Sequence, residues 1–172
     1  AELDFSPKIN CFVGYNGAGK TNILDAIHFL SLTKSTASSI DSQNIRHGEE
    51  MMMVQGVYDL NGVEEEVSIG MKLHQKKHVK RNMKEYKRLA EHIGLLPLII
   101  ASPNDSHIIS GGSEERRRLM DIVISQYDAE YMNALSAYNK ALQQRNAILK
   151  AEEEPCIDII SVFEEMMAET GE

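Results

Sequence analysis

The chain has no window of about 18 consecutive apolar residues, so no membrane-spanning helix is expected. Its start lacks the charged, then apolar, then small-residue pattern of a secretory signal. Only two cysteines occur in 172 residues, Cys11 and Cys156. They lie far apart in no metal-ligating spacing, and no cluster of His, Cys and carboxylates suggests zinc. A cytosolic setting with reduced thiols is expected, and no membrane. Basic charge is scarce too: 18 Lys and Arg against 26 Asp and Glu give a net charge of −8. That balance excludes a chain that coats nucleic acid over its whole surface. No internal repeat is present.

Apolar residues make up 42% and charged residues 26% of the chain, ordinary values for a soluble domain with a real core. The length fits one domain or a large piece of one. Ala1 is not an initiator methionine, and AELDF reads as the tail of a strand already under way. EEMMAETGE stops inside an apparent helix. A fragment of a longer protein is expected.

The densest information lies in INCFVGYNGAGKTNILDAIHFL, residues 9 to 30. INCFVG reads as a buried central strand, with Cys11 as a small buried hydrophobe. Lys20 to Leu30 reads as a helix carrying Ile23, Leu24, Ile27 and Leu30 on one face. Between them, Gly14-Tyr15-Asn16-Gly17-Ala18-Gly19-Lys20-Thr21 fits G-x-x-x-x-G-K-[ST]. Strand, loop and helix in register argue for a phosphate-binding loop over a Gly-rich turn with a solvated lysine. Glycines let backbone N–H groups turn toward a β-phosphate at the helix N-terminus. Lys20 reaches the β- and γ-phosphates, and the Thr21 hydroxyl ligates Mg²⁺. The expected ATP site is therefore Gly14, Tyr15, Asn16, Gly17, Ala18, Gly19, Lys20, Thr21 and Asn22, with Asn22 and Asp25 steadying the helix start or the pocket.

A phosphate loop alone does not name a chemistry. Guanine specificity needs Asn-Lys-x-Asp, whereas Asn139-Lys140-Ala141-Leu142 lacks the Asp and lies inside a helix. SEERRRL could imitate the arginine lid of a small-molecule kinase, so that class stays open. Hydrolysis needs a second acidic site at a strand end. Asp105 in LPLIIASPND follows a Ser-Pro break, and Glu164 and Glu165 in IISVFEE fall on the solvated side of a helix. Both are decoys, and the catalytic carboxylate is expected outside this chain.

Elsewhere, ELDF alternates like a half-buried strand, and residues 31–45 are Ser/Thr-rich loop. MVQGVYDL and VEEEVSIGMKL flank Asn61-Gly62, the strongest local hairpin signal. LLPLIIA is another buried-strand candidate. Ser113 is a candidate N-cap, with Glu114 and Glu115 in the first turn of a helix to about Gln126. A second helix from about Asp128 carries Tyr131, Leu135, Tyr138, Leu142 and Leu149 as a bundle face, with Arg145 in the remaining seam position. Glu-Glu-Glu-Pro at 152–155 ends it, and a last helix carries Ile159, Val162, Phe163, Met166 and Met167. Helical residues 113–170 also allow a purely partner-docking module. Arg116, Arg117 and Arg118 fan over about 200° and cannot all face one partner. At least one is expected to pair with Glu114, Glu115 or Asp121, or to pack its stem. His28 is expected to pack. Between 72 and 88, Lys72, Lys76, Lys77, Lys80, Arg81, Lys84, Lys87 and Arg88 meet only Glu85. This stripe is either a solvated hairpin face or a set of DNA phosphate contacts, of which Lys76, Lys77, Lys80 and Arg81 are the candidates.

NGAGKTNILDAIHFLSLTKS, SPNDSHIISGGSEERRRLMD and YMNALSAYNKALQQRNAILK resemble, in order and spacing, the N-terminal half of the RecF family of bacterial DNA replication and repair proteins. The resemblance implies an α/β fold: a P-loop ATPase head of the ABC type, related to structural-maintenance-of-chromosomes heads, with an antiparallel β-hairpin subdomain and an adjoining helical lobe. We place the nucleotide-binding lobe at 1–112 and part of the helical lobe at 113–172. The resemblance further implies ATP-driven homodimerisation and slow hydrolysis. It implies binding of double-stranded DNA near single-strand junctions, and action with RecR and RecO in loading the recombinase. Walker B and signature motifs come later in such proteins. This sequence departs from the family in having Asp25 where Glu is frequent. It has Thr36 and Ala37 where His and Arg are usual, so no role of that arginine transfers. Pro is common in the family where Ser113 or Glu114 stands here.

Overall fold

The computed structural model describes residues 1–151 and 157–171, with the side chains of all of these except Asn104 and His107. The helix stop expected at 152–155 and Cys156 lie outside the described residues. Backbone contacts divide the chain into two units, Ala1–Lys87 and Arg88–Glu172. The lobe boundary expected at 112/113 falls inside the second.

In the first unit, helix α1 spans Lys20–Leu32, and four strands form an antiparallel sheet in the order β1-β2-β3-β4. These are β1 (Met51–Leu60), β2 (Val63–Lys72), β3 (His78–Arg81) and β4 (Lys84–Glu85). The β1–β2 ladder runs from Met51 opposite Lys72 to Leu60 opposite Val63. Its turn is the expected Asn61-Gly62, with φ of 56° and 82°, and Asp59 Oδ1 accepts the Gly62 N–H at 2.7 Å. Alternation then sorts the faces: Met51, Met53, Gln55, Val57 and Asp59 of β1 are exposed, while Val67, Ile69 and Met71 of β2 are buried with Val79 of β3. Phe29 and Leu30 of α1 and Ile45 complete this core. Each such side chain contributes about 1.5–3 kcal/mol of hydrophobic stabilisation.

A second tight hairpin, joining β3 to β4, has no strong signal in the sequence. Asn82 and Met83 occupy its turn with φ of 47° and 66°, and Met83 is not a residue that favours positive φ. Asn82 holds the turn by donating its N–H to Glu66 O and accepting the Glu66 N–H on Oδ1, both at 2.9 Å.

Two expected strands are not found. Residues 9–14 pair with no described strand, and Cys11, Ile9 and Val13 are exposed rather than buried. A side-chain-locked turn precedes them instead: Ser6 N–H donates to Asn10 Oδ1, Asn10 Nδ2 to Ser6 O, and Ser6 Oγ to Ile9 O. It brings Phe5 and Phe12 edge-to-face at 6.0 Å, and ELDF likewise forms no ladder. The expected face of α1 is only partly buried. Leu24 is exposed, and burial concentrates at the C-terminal Phe29, Leu30 and Ser31.

In the second unit, α2 spans Ser106–Ser110, α3 Ser113–Ser125, α4 Ala129–Leu149 and α5 Ile157–Thr170. LLPLIIA joins no ladder among the described residues, and at Leu98 the Gln126 side chain takes both backbone groups. Its Oε1 accepts the Leu98 N–H at 2.7 Å and its Nε2 donates to Leu98 O at 3.2 Å. Gly94 permits this approach: at φ 91°, a Cβ there would lie 2.4 Å from Gln126 O. Ser113 is the first helical residue and Gly112 the cap, so the expected side-chain cap is absent. The helix expected from about Asp128 is α4, and Asp128 caps it: Oδ1 accepts the N–H groups of Glu130 and Tyr131 at 2.9 Å each. The seam residue Arg145 is matched by α5, donating Nε and Nη2 to Glu164 Oε1 at 2.9 and 2.7 Å. Of the expected α5 face, Phe163 and Met167 are half-buried, while Ile159, Val162 and Met166 are exposed. Among the described residues no helix is long and apolar enough to cross a membrane.

Candidate functional site

The phosphate-loop sequence forms an exposed turn leading directly into α1. Gly17 and Gly19 take φ of 84° and 91°, and a Cβ on either would meet nothing within 4 Å. Glycine is needed for its backbone freedom, not for space. Ala18 N–H closes the turn on Tyr15 O at 3.2 Å, and Ile23 N–H donates to Gly19 O, opening the helix. Gly19 is the cap residue, no side chain caps the first turn, and no acidic residue lies within it. The first-turn N–H groups of α1 therefore face outward beside the positive end of the helix dipole, with no carboxylate competing for them.

Lys20 Nζ donates to Gly14 O at 2.7 Å and to Tyr15 O at 2.8 Å. The ammonium is thus held across the mouth of the loop, where a phosphate oxygen would compete with two carbonyls for it. Tyr15, Asn16, Thr21 and Asn22 are exposed. Backbone donors, one ammonium and one hydroxyl, with no acid in the first helical turn, form a donor set that fits a polyphosphate. Among the described residues no group of three or more His, Cys, Asp or Glu could hold a metal by itself. Mg²⁺ at Thr21 would need oxygens from phosphate and water for the rest of its octahedron.

Asp25, one turn after Thr21, accepts Ser35 Oγ on Oδ2 and both the N–H and the Oγ1 of Thr36 on Oδ1, each at 2.6 Å. Partial burial alone would raise its carboxyl. The hydrogen bonds from Ser35 and Thr36 outweigh that, with His28 adding to them, and the group titrates below its ordinary 3.8. Sequence reasoning placed Asp25 near the pocket but missed Ser35 and Thr36. A Ser/Thr-rich loop carries no periodicity that would single them out. His28, expected to pack, is half-buried, with Nδ1 2.7 Å from Lys34 O.

The four candidate DNA contacts divide into two kinds. Lys76 is exposed and Lys80 half-buried. Lys80 stands opposite Ser68 and Glu85, on the sheet face where Met51, Met53 and Met83 line a shallow cleft. Lys77 turns inward instead, to Asp41 Oδ2 at 2.9 Å and Thr33 O, with its ammonium 5.6 Å from the Phe29 ring centroid. Arg81 is a bidentate partner of the buried Glu65, from Nε at 2.8 Å and Nη2 at 2.6 Å, and Asn82 Nδ2 joins at 2.7 Å. The Arg81 hydrogen bonds hold the Glu65 carboxyl below its ordinary range against the effect of burial. Arg116 makes no acidic pair of the expected kind but donates to the carbonyls of Ile108 and Gly111. Asp121 accepts the Tyr131 hydroxyl at 2.6 Å.

Residues 1–155 match the family described as the AAA domain. The DNA replication and repair protein RecF of Phocaeicola vulgatus is 58% identical over 100% of this chain and 47% of its own length. That of Bacteroides fragilis is 57% identical, over 99% of this chain and 46% of its length. The chain thus spans about half the length of these curated relatives. Among solved structures, the recombination mediator protein RecF-ATPrS of the RecFOR pathway superposes with a TM-score of 0.84 at 35% identity, over 92% of this chain and 43% of that one. An SMC ATPase, from a study of ATP-driven dimerization, shares the fold with a TM-score of 0.57 at 21% identity, over 70% of this chain and 87% of that one. The chain belongs to the AAA domain family, with the α/β fold of an ATPase head, and is similar along its whole length to RecF.

Proposed function

We propose that the chain is the ATP-binding part of a RecF-type DNA replication and repair protein. The observation that carries this is the loop with positive φ at Gly17 and Gly19, across which Lys20 is held by the Gly14 and Tyr15 carbonyls. On this reading residues 14–19 cradle the phosphates with backbone N–H groups, Lys20 leaves its two carbonyls for the β- and γ-phosphates, and Thr21 ligates Mg²⁺. Bound ATP supplies the γ-phosphate charge that a second head engages, so nucleotide drives homodimerisation of the full-length protein. The RecF relatives solved with ATP and with ATPrS support the nucleotide part of this reading.

The closed dimer binds double-stranded DNA near single-strand junctions and, with RecR and RecO, helps load the recombinase in gaps. Lys76 and Lys80 are the phosphate contacts of this reading. Lys77 and Arg81 already have internal partners and serve the fold. The test is retention of the full-length protein on duplex DNA, with and without ATP. Retention should require ATP and vanish in Lys20→Ala. Retention indifferent to ATP, or steady phosphoryl transfer to a small acceptor as in a kinase, overturns the reading.

A further inference from the structure

After α1 the chain doubles back along the helix it has just left. Thr33 ends the helix in the left-handed region, φ 57°, with its N–H on Phe29 O. Lys34 O then meets His28 Nδ1, and Ser35 and Thr36 meet Asp25. Successive loop residues are thus pinned to successively earlier positions of α1. Ser35 Oγ locks the segment further by accepting the Ala37 N–H at 3.0 Å. Asp25 follows Thr21 by four residues, which puts both side chains on one helix face about 6 Å apart along the axis.

That spacing creates a conflict. A free carboxylate at i+4 is well placed to accept the hydroxyl of Thr21, and an uncompensated negative charge there opposes an incoming triphosphate. The clasp resolves it, because three donors from Ser35 and Thr36 occupy both Asp25 oxygens. Resting on the reading of the loop as a Mg²⁺–ATP site, we propose that Ser35 and Thr36 are positioning residues: by occupying both Asp25 oxygens they keep the Thr21 hydroxyl available to the metal. Ser35 and Thr36 touch neither nucleotide nor ion on this proposal; they act through Asp25.

The test uses the full-length protein and equilibrium titration with a fluorescent ATP analogue, with and without Mg²⁺. Ser35→Ala with Thr36→Val removes two of the three donors, which frees Oδ2 and leaves only the Thr36 N–H on Oδ1. Affinity for the Mg²⁺ complex should fall about tenfold, the scale of an outer-layer partner lost at a metal site. Affinity without Mg²⁺ should change little. Adding Asp25→Ala to that double variant should recover most of the loss, because the competing carboxylate is gone. A merely structural clasp predicts the reverse: a third substitution that helps nothing, and losses equal with and without Mg²⁺. Either result overturns the proposal. Should the double variant not fold, Thr36→Val alone, with and without Asp25→Ala, gives the same comparison at smaller amplitude. Wild type that binds and Lys20→Ala that does not establish the loop reading separately. A folded wild type that ignores ATP overturns that reading and this one with it.

Discussion

At the residue scale, the partners of each ammonium separate chemistry from structure among the lysines. Lys20 holds the Gly14 and Tyr15 carbonyls, which on the proposed reading it exchanges for phosphate oxygens. Lys20→Ala should therefore leave the melting temperature unchanged and weaken Mg²⁺–ATP binding by roughly 3 kcal/mol, about a hundredfold in Kd, measured by titration. Lys77 is the opposite case. Its ammonium joins Asp41, Thr33 O and the Phe29 ring with the side chain 11% exposed. Lys77→Ala should destabilise the chain by about 1–3 kcal/mol in urea unfolding, whereas Lys76→Ala should leave stability unchanged. Asp25 gives a pH dependence whose sign is fixed by its lowered pKa. Its stabilising contribution is complete above the ordinary value of 3.8 and is lost as pH falls through the lower folded value. Asp25→Asn should flatten the acid limb of the stability curve below about pH 4, read by thermal melting. A rise in stability on acidification through that range would contradict the clasp.

At the element scale, the two hairpin turns form a natural pair. Asn61-Gly62 uses residues suited to positive φ, whereas Asn82-Met83 places a long side chain at φ 66°. Gly62→Ala should cost about 1–2 kcal/mol, because a Cβ there has space but the wrong backbone region. Met83→Gly should stabilise by up to about 1 kcal/mol, since the side chain is 74% exposed and little packing is lost. Chemical denaturation of both variants checks the pair, and equal signs would show that backbone strain does not govern these turns. The first hairpin was legible because its turn residues and flanking alternation agree. The second was not, because its turn is held by Asn82 bonding to Glu66 and Glu65, distant in sequence. The α4 start was equally legible: Asp128 caps it through two backbone N–H groups.

At the scale of the whole molecule, the balance of charge decides how any nucleic acid could be bound. A chain of net charge −8 repels a polyanion except where cations are exposed together. Of the eight cations between residues 72 and 88, Lys77 and Arg81 are neutralised internally. If Lys76 and Lys80 each neutralise one phosphate, replacing both with alanine should reduce the salt slope of duplex binding by about 2, with little change at Arg81→Lys. A slope that is unchanged while affinity falls would assign these lysines an indirect role.

The glycine turn before α1, the first hairpin and the capped helix α4 were determined by the sequence itself. Each depends on backbone preferences of residues within a few positions of one another: glycine at positive φ, Asn-Gly in a tight turn, Asp bonding the N–H groups two and three residues ahead. Tertiary structure alone decided which cations find internal partners, that Leu98 pairs with the Gln126 side chain, and that Cys11 lies exposed in an apolar run. Burial and partnership depend on what the fold carries alongside a residue, and neither the spacing nor the composition of a segment contains that neighbour.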